Sequence, residues 1–323
     1  YQVSVGIVKD NYGLPIYNKF IDVSKKMSPN YISMISPSRW FTGGRGLDDF
    51  RKEMLNDNRL AKIFDFIDSR ECFPNVDISG GINYFLWDNK YKGDFEFTNI
   101  TKGKRETQIR KLDEYKIFIR NNHSLSIIDK VCSDEKNFLS ETVSGQTPFG
   151  FITTFRGRNN KFENCIKLKS SGETTYVSKD EIKKNQDWVN NYKVIFSKAT
   201  CEHAGTPDKN GQYRVLSYTD ILDPNVICTQ SYLVGNVFKN YSDAVHFLSY
   251  LKTRLVRYLI LQSITSQDLS SDKFQFVPTQ DFTSHSDIDW SKTAPEIDSQ
   301  LYAKYGLSEE EISFIESMIK PME

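Results

Sequence analysis

The chain has 323 residues and a formal net charge of zero, with 42 basic and 42 acidic side chains. Hydrophobic residues make up 38% and aromatic residues 13%, which supports packed cores and excludes a disordered chain. No apolar run reaches the length of a membrane span. The zero net charge argues mildly against a nucleic-acid binder, whose affinity rests on cationic contacts to phosphates.

Alternating helices and strands are predicted in the first hundred residues. Apolar residues at helical spacing predict a helix over 16–27, with Phe20, Val23 and Met27 on its apolar stripe, and a second helix over 47–55. Short apolar runs predict the strands, which are 31–36, 61–67 and 77–87. This order is typical of an α/β domain, but these strands are too few for a complete doubly wound sheet.

The pattern changes after about residue 100. Charged residues 101–120 are predicted to be mostly helical or irregular, and a hairpin is predicted where two short strands flank Ser170-Ser171-Gly172. A strand follows over 192–197, and a polar loop covers 200–213. Apolar residues on one face, from Ala244 to Leu259, predict one long helix that begins near Ser242.

The end of the chain is predicted to hold two short helices. Pro295 begins the first helix and Gly306 ends it, while Ser308 and Glu311 form a capping box for the second. We therefore predict three regions with a main boundary between residues 100 and 120, and these regions are 1–105, 106–290 and 291–323.

Charge is distributed unevenly along the chain. Between Thr98 and Arg120 seven cations face three acids, and from Glu296 to the end seven acids face two lysines. The first tract is either a basic surface for an acidic partner or an ordinary solvated face, and composition leaves both interpretations open.

Two segments resemble a known family when they are read in order. The first is residues 35–51, which contain Pro37-Ser38-Arg39-Trp40-Phe41-Thr42-Gly43-Gly44-Arg45-Gly46, and the second is residues 73–85, which contain Asp77-Ile78-Ser79-Gly80-Gly81-Ile82-Asn83-Tyr84-Phe85. Together they resemble the gamma-class adenine-N6 methyltransferases of restriction-modification systems, where they follow an Asn-Pro-Pro-Tyr motif. Tyr1-Gln2 looks like the end of that motif. Three later stretches are similar to the family's recognition region, namely 146–151, 229–233 and 287–290.

The resemblance implies a fold and an activity. The fold is α/β, the distal part of a Rossmann-like methyltransferase sheet (1–105), followed by a mixed α/β target-recognition domain (106–290) and a short helical C-terminus (291–323). The activity is the transfer of a methyl group from S-adenosylmethionine to adenine N6 in a specific DNA sequence. Because no glycine-rich nucleotide loop is present, we expect a fragment whose cofactor is bound mainly by residues that this chain lacks.

The catalytic candidates are aromatic. Methylation of N6 requires that the adenine be flipped out of double-stranded DNA, and flat apolar rings stabilise the extruded base. The resemblance assigns these faces to Tyr1 and Phe85, with Tyr84 as the competing candidate. Phe85 and Tyr84 are adjacent in a predicted strand, so their side chains should point to opposite faces. Without the family, the preferred interpretation is that Phe85 is a core residue and that the glycines mark a bulge.

Candidate DNA contacts lie in three places. Arg39 and Arg45, with Arg51 beside them, either contact phosphates or pair with Asp48 and Asp49. The other candidates are basic or amide side chains, namely Lys102, Lys104, Arg105, Arg156, Arg158, Asn159 and Lys161. The last four lie in a segment that is either a base-reading loop or an exposed hairpin tip.

Other sites and the cellular setting follow from what the sequence does not contain. The five cysteines are widely spaced, and Cys201 and His203 have no further ligands nearby, so we expect no metal site. Without a recognisable signal peptide, a reducing cytoplasm fits. The alternative function is a DNA-binding specificity module that directs a separate methyltransferase or nuclease chain, and a nuclease domain or subunit is compatible with either function.

Overall fold

The computed structural model describes residues 2–3, 14–43, 46–78, 80–202, 207–264 and 267–322. The chain divides into two compact units, Tyr1–Leu125 and Ser126–Glu323. It is a mixed α/β protein with a helical C-terminus, as the sequence predicts. The structural division falls at Leu125, so residues 106–125 belong with the first unit, and the helices after residue 291 belong with the second.

The first unit is built on a five-stranded mixed sheet. The helices and strands of this unit are β1 (Gln2–Val3), β2 (Leu14–Pro15), α1 (Tyr17–Lys26), β3 (Tyr31–Pro37), α2 (Asp48–Leu55), β4 (Leu60–Phe66), β5 (Ile82–Asp88), β6 (Phe95–Thr101) and β7 (Lys104–Arg110). The order of strands in the five-stranded sheet is β3-β5-β4-β6-β7, and β1 pairs with β2 separately. Strand β5 is antiparallel to both β3 and β4, and β6 is parallel to β4. Strands β3, β4 and β6 therefore all run in one direction and end at the same edge of the sheet.

The core of this unit lies on one face of the sheet, beneath α1 and α2. Ile63 and Phe85 from the sheet are fully buried there, together with Ile21 of α1 and Phe50 of α2. The predicted apolar stripe of the first helix is wrong. Its members Phe20, Val23 and Met27 are exposed, because the helix turns Tyr17 and Ile21 towards the core instead.

The prediction that residues 101–120 are mostly helical or irregular holds for 111–120 but is wrong for Lys104–Arg110, which is strand β7. It pairs antiparallel with β6 through a two-residue turn at Lys102 and Gly103. Both turn residues have positive φ, at 51° and 74°, as tight hairpin turns require. Strand β7 lies at the edge of the sheet, and its charged side chains discourage pairing with further strands.

The remaining elements belong to the second unit, except that the first two residues of α3 precede the division at Leu125. They are α3 (Ser124–Cys132), β8 (Ile166–Lys169), β9 (Thr174–Val177), β10 (Tyr192–Ser197), β11 (Thr219–Leu222), β12 (Val226–Cys228), β13 (Tyr232–Phe238), α4 (Tyr241–Lys252), α5 (Arg254–Leu261), α6 (Ala294–Lys304) and α7 (Glu309–Met318). The strands form two small sheets of order β12-β8-β9 and β11-β10-β13. The predicted hairpin is confirmed as β8 and β9, and the predicted strand 192–197 as β10.

The long helix predicted from Ser242 is interrupted. Thr253 has an extended backbone and separates α4 from α5. Its hydroxyl accepts a hydrogen bond from the Val256 amide and donates one to the Tyr250 carbonyl at 2.7 Å. The buried Asp298 carboxylate accepts from the next two amides, of Arg254 and Leu255. These side chains satisfy the amides at the start of α5, which makes a second helix start possible inside an apolar stretch.

The two C-terminal helices are confirmed. Helix α6 has Pro295 in its first turn and is followed by Gly306, whose φ is 61°. Helix α7 begins at the capping box of Ser308 and Glu311. Both helices pack against α5, so the helical C-terminus predicted as a separate region (291–323) is part of the second unit's core.

Candidate functional site

The candidate site lies where the parallel strands of the first unit end. Strands β3, β4 and β6 end at Pro37, Phe66 and Thr101. In open α/β sheets, ligands bind in the crevice outside the carboxyl ends of the strands. The loops at this edge include both family-like segments, 35–51 and 73–85, so the geometry brings together residues that are distant in sequence.

A buried ion pair marks this edge. Asp65, near the end of β4, is fully buried and accepts two hydrogen bonds from the guanidinium of Arg120, one of them at 2.9 Å between Oδ1 and Nη2. The hydroxyl of Ser38 donates a further bond to Oδ1 at 2.7 Å. A carboxylate withdrawn from water is stable only with such partners, and the two-pronged contact with arginine also sets its orientation.

Arg120 also holds the loop that carries the Gly-Gly segment. Its Nη1 donates to the carbonyl of Gly80 at 2.7 Å, and its Nη2 donates to the carbonyl of Phe66 at 3.0 Å. Gly81 has a φ of 71°, and a Cβ there would lie 2.2 Å from the Phe66 carbonyl oxygen and 2.5 Å from Nη2 of Arg120. Only glycine therefore fits at position 81, which packs against the backbone at the end of β4 and against the arginine.

Asn83 extends this polar cluster along β5. Its side-chain amide donates to the hydroxyl of Ser38 at 3.2 Å and, more weakly, to the Ser36 carbonyl at 3.4 Å. Within the described part of the chain, the Oδ1 of Asn83 and the hydroxyl of Ser36 have no hydrogen-bond partner, although both are buried. Buried polar atoms are costly to leave unpaired, so hydrogen-bonding capacity remains next to the ion pair.

The predicted catalytic aromatics lie on opposite faces of β5, as the alternation of a strand requires. Phe85 is fully buried in the core beneath the two helices, so its ring offers no exposed face to a base. Tyr84 is half-buried on the other face, where its ring stacks on Phe64 with centroids 4.6 Å apart. Of the two rings, that of Tyr84 is the accessible one, and it lies on the face of β5 opposite Asn83 and Phe85. Tyr1 lies outside the described residues.

The arginines of the segment 35–51 have different surroundings. Arg51 forms an ion pair with Asp48 at 3.4 Å and donates a hydrogen bond to the carbonyl of Thr42. Of the two interpretations for this residue, these contacts support pairing with an aspartate over contact with a phosphate. Arg39 is half-buried beside Tyr17. Burial raises the pKa of the Tyr17 hydroxyl, and the charge of Arg39 opposes that shift. Arg45 lies outside the described residues.

The basic hairpin between β6 and β7 lies at the same edge as the ion pair. The amides of Lys102 and Gly103 donate to the Glu71 carboxylate at 2.9 and 3.0 Å, which ties the turn to the loop after β4. The side chains of Lys102, Lys104 and Arg105 are exposed. This hairpin therefore presents three cations to solvent beside the candidate site, as a phosphate-contacting element would.

The basic segment of the second unit is exposed and partly paired. Arg156 pairs with Glu173, and Arg158 pairs with Glu181 at 2.8 Å. The pKa of Glu181 is lowered to about 2, mainly by hydrogen bonds from Ser178 and then by Arg158. The two other candidates are exposed, Asn159 and Lys161. Exposed ion pairs contribute little to stability, so these two contacts constrain the arginines only weakly.

The sequence patterns did not predict the Asp65–Arg120 pair. In the sequence, Arg120 counts only as one cation of a basic tract. The available signal was Asp65 itself, a charge within the apolar run Ile63-Phe64-Asp65-Phe66. A buried charge needs a partner, but its identity depends on topology. Among the described residues, no group of three or more His, Cys, Asp or Glu side chains is arranged to hold a metal ion, and no helix is long and apolar enough to cross a membrane.

Comparison with known proteins gives a family match for part of the chain. Residues 6–73 match the Eco57I restriction-modification methylase profile. The chain is also 33% identical over 112 residues to a Mycoplasma pneumoniae (strain ATCC 29342 / M129 / Subtype 1) protein named uncharacterized adenine-specific methylase. That alignment covers 34% of this chain and 26% of the relative. The resemblance to methyltransferases of restriction-modification systems is confirmed over this part of the chain.

Two solved structures are similar over most of the chain. The type IIG restriction endonuclease BpuSI matches with a TM-score of 0.35 and 12% identity, over 95% of this chain and 48% of that one. The type IIL restriction-modification enzyme MmeI, solved in complex with DNA, matches with a TM-score of 0.44 and 7% identity, over 97% of this chain and 53% of that one. The chain thus spans about a quarter of the curated relative and about half of each solved structure.

Proposed function

We propose that this chain is part of an S-adenosylmethionine-dependent DNA adenine-N6 methyltransferase of a restriction-modification system. The observation that carries the proposal is the 33% identity over 112 residues to a protein named as an adenine-specific methylase. The match of residues 6–73 to the Eco57I restriction-modification methylase supports the same class. The polar cluster at the carboxyl edge of the sheet supports a site in the first unit.

The described residues have distinct roles in this proposal. Arg120 and Asp65 act as positioning residues, because their ion pair holds the Gly80-Gly81 loop at the edge of the sheet. The exposed cations of the β6–β7 hairpin contact the phosphates of the DNA. Tyr84 lies two residues inside the edge and supplies an aromatic ring for the flipped adenine.

Asp65 is not available to the cofactor. S-adenosylmethionine offers ribose hydroxyls that a free carboxylate would bind, but Asp65 is buried and engaged by Arg120 and Ser38. We therefore assign no step to the cofactor here and place its binding mainly on other residues of the intact protein. The isolated chain is expected to bind S-adenosylmethionine weakly or not at all, and calorimetry would show whether this is so.

The second unit is the proposed target-recognition region. The sequence predicts 106–290 for this region. Because strand β7 completes the first unit's sheet and the division falls at Leu125, we assign sequence choice to residues 126–290. Exchange of the whole second unit, residues 126–323, into a related methyltransferase should move the methylated site to a new sequence, since α6 and α7 pack against α5 and belong to the same core. Sequencing of methylated DNA that shows the original target retained would contradict this assignment.

The central experiment uses the intact protein encoded by the parent gene. The purified protein is incubated with S-adenosylmethionine and a mixed DNA substrate, and the product is sequenced for N6-methyladenine. We expect methylation of adenine in one recurrent sequence. The same reaction is assayed for strand cleavage, which would reveal a nuclease in the intact protein or an added subunit.

Two other results would change the assignment. Methylation of cytosine would show a methyltransferase of another specificity. Sequence-specific DNA binding with no methyl transfer by the intact protein would establish the alternative, a binding module that directs a separate catalytic chain.

A further inference from the structure

Four side chains from three strands or strand-flanking segments meet on the surface of the second unit. Lys169 ends β8, Asp220 lies in β11, Tyr218 precedes β11 and Tyr232 begins β13. The Lys169 ammonium lies 3.2 Å from the Asp220 carboxylate and over both tyrosine rings, 5.2 and 5.8 Å from their centroids. The Tyr218 hydroxyl donates to Asp220 at 2.7 Å. The contact between Lys169 and Asp220 joins the two small sheets of this unit.

Gln230 lies beside this group in the turn before β13. Backbone hydrogen bonds fix the turn: the Thr229 amide donates to the Lys169 carbonyl at 3.0 Å, and the Gln230 amide donates to the Phe151 carbonyl at 2.9 Å. The Gln230 side chain is half-buried and, at 3.5 Å, reaches the side chain of Gln146. We call Lys169, Tyr218, Asp220, Gln230 and Tyr232 the reading patch.

The patch remains accessible and charged. Tyr218 is 38% exposed, and the side chains of Lys169 and Asp220 are 25% and 40% exposed. Partial burial works against the charge of Lys169, but hydrogen bonds to Tyr218 and Asp220 outweigh it and raise the pKa of Lys169 above its ordinary value. The lysine is therefore a cation at neutral pH, and it is held on a rigid strand end rather than on a long loop.

A basic segment adjoins the same sheet. The backbone of Arg158 pairs with Tyr176 in β9, and Arg156 pairs with Glu173 in the turn between β8 and β9. Cations that can contact phosphates thus lie next to side chains that can contact base edges. This is the division found in DNA-binding surfaces, where phosphate contacts position the protein and base contacts specify the sequence.

We propose that the reading patch contacts base edges of double-stranded DNA and determines part of the target sequence. This inference rests on the proposed function of the intact protein. Lysine donates to the O6 and N7 acceptors of guanine, glutamine pairs with the N6 and N7 of adenine, and aspartate accepts from the N4 of cytosine. The three polar groups of the patch therefore present the donor and acceptor chemistry that reads the major groove, and the tyrosines contact two of them, Lys169 and Asp220.

The test compares Lys169→Ala and Gln230→Ala with Lys161→Ala in the intact protein. For the two patch variants we expect methylation of the cognate site to fall about five- to 150-fold relative to a site changed at one base pair, with discrimination lost at that position. In both patch variants, DNA binding should depend on salt concentration as it does in the wild type. Lys161→Ala is the phosphate control, and it should weaken binding to all sequences alike and lower the salt slope by about one.

The outcomes separate the inference from the function on which it rests. If the wild type methylates adenine and both patch variants keep its target, rate and discrimination, the inference is wrong and the function stands. If the wild type does not methylate adenine, the proposed function fails, and selection of bound duplexes from a random pool still compares sequence preference between wild type and variants. A thermal melt accompanies each assay. Should Lys169→Ala unfold, Gln230→Ala decides, since it removes no ion pair between the sheets.

Discussion

The two units each contain an aspartate paired with a basic side chain, but they place the pair differently. In the first unit the side chains of Asp65 and Arg120 are 0% and 17% exposed, whereas in the second unit those of Asp220 and Lys169 are 40% and 25% exposed. The buried pair is surrounded by backbone carbonyls and a serine hydroxyl. The exposed pair borders solvent and two tyrosine rings.

This difference shows how burial changes the role of an ion pair between an aspartate and a basic side chain. A buried charge that loses its partner is strongly destabilising, so the Asp65–Arg120 pair is committed to holding the loops of the candidate site. An exposed pair contributes little to stability, so the Lys169–Asp220 pair can exchange its mutual contact for contacts with a ligand. One unit therefore positions residues with its ion pair, and the other presents its ion pair to a partner.

Among the ion pairs, the largest effect on stability is expected from Arg120→Ala. It leaves the Asp65 carboxylate buried without its cation, which should lower the free energy of unfolding by about 3–5 kcal/mol. Arg158→Ala, which breaks the exposed pair with Glu181, is the matched control and should cost about 1 kcal/mol or less. Urea unfolding of both variants gives the measurement. Equal losses would mean that burial does not distinguish the two kinds of pair.

Phe85→Ala tests whether Phe85, on the buried face of β5, serves only core packing and takes no part in stacking on the base. Removal of a buried phenylalanine should destabilise the protein by about 3–5 kcal/mol because of lost burial and the cavity that remains. Single-turnover methylation by the folded fraction of the intact enzyme should be close to normal. A slow reaction in a protein that melts at the wild-type temperature would restore Phe85 as the base-stacking residue.

Tyr84→Ala tests the opposite face of the same strand. Stacking of a base on an aromatic ring contributes about 1–3 kcal/mol, so methylation should slow about ten- to a hundredfold. Tyr84→Phe keeps the flat ring and should retain most of the rate. DNA affinity and its salt dependence should change little, because phosphate contacts are untouched. Normal methylation by both Tyr84→Ala and Phe85→Ala would remove β5 from the base pocket.

The smallest effect concerns Lys193, the buried counterpart of the partly exposed Lys169. It is fully buried and donates to the carbonyls of Val189 and Asp223 at 3.0 and 3.1 Å. Burial lowers the pKa of Lys193 to about 8. Between pH 8 and the ordinary pKa of a lysine, 10.5, the unfolded chain therefore binds more protons than the folded one. The free energy of unfolding should rise with pH across this window.

The measurement for Lys193 is the free energy of unfolding in urea at pH 7.5 and 9.5. The wild type should gain stability relative to Lys193→Met over this interval, since the variant lacks the titrating group. Lys161→Met, at an exposed position, should follow the wild type. A parallel pH dependence in wild type and Lys193→Met would show that Lys193 keeps an ordinary pKa in the folded protein.

Local patterns in the sequence determined much of the secondary structure. The capping box at Ser308 and Glu311, the hairpin around Ser170-Ser171-Gly172 and strand 192–197 follow from contacts between near neighbours, and the structure confirms them. The alternation of Tyr84 and Phe85 is also local, because the period of a strand is two residues. The family-like segments 35–51 and 73–85 located the loops of the candidate site, since motif residues are read in order along the chain.

Only the tertiary structure decided which faces are buried and which charges meet. Period alone does not say which side of β5 packs under the helices, so the choice between Tyr84 and Phe85 needed the sheet. Arg120 and Asp65 are 55 residues apart, and Lys169 and Asp220 are 51 apart. Their contacts arise because sheet order brings distant strands together, and no local propensity encodes that order. The break at Thr253 has the same origin, because an aspartate 45 residues away occupies the amides of the second helix.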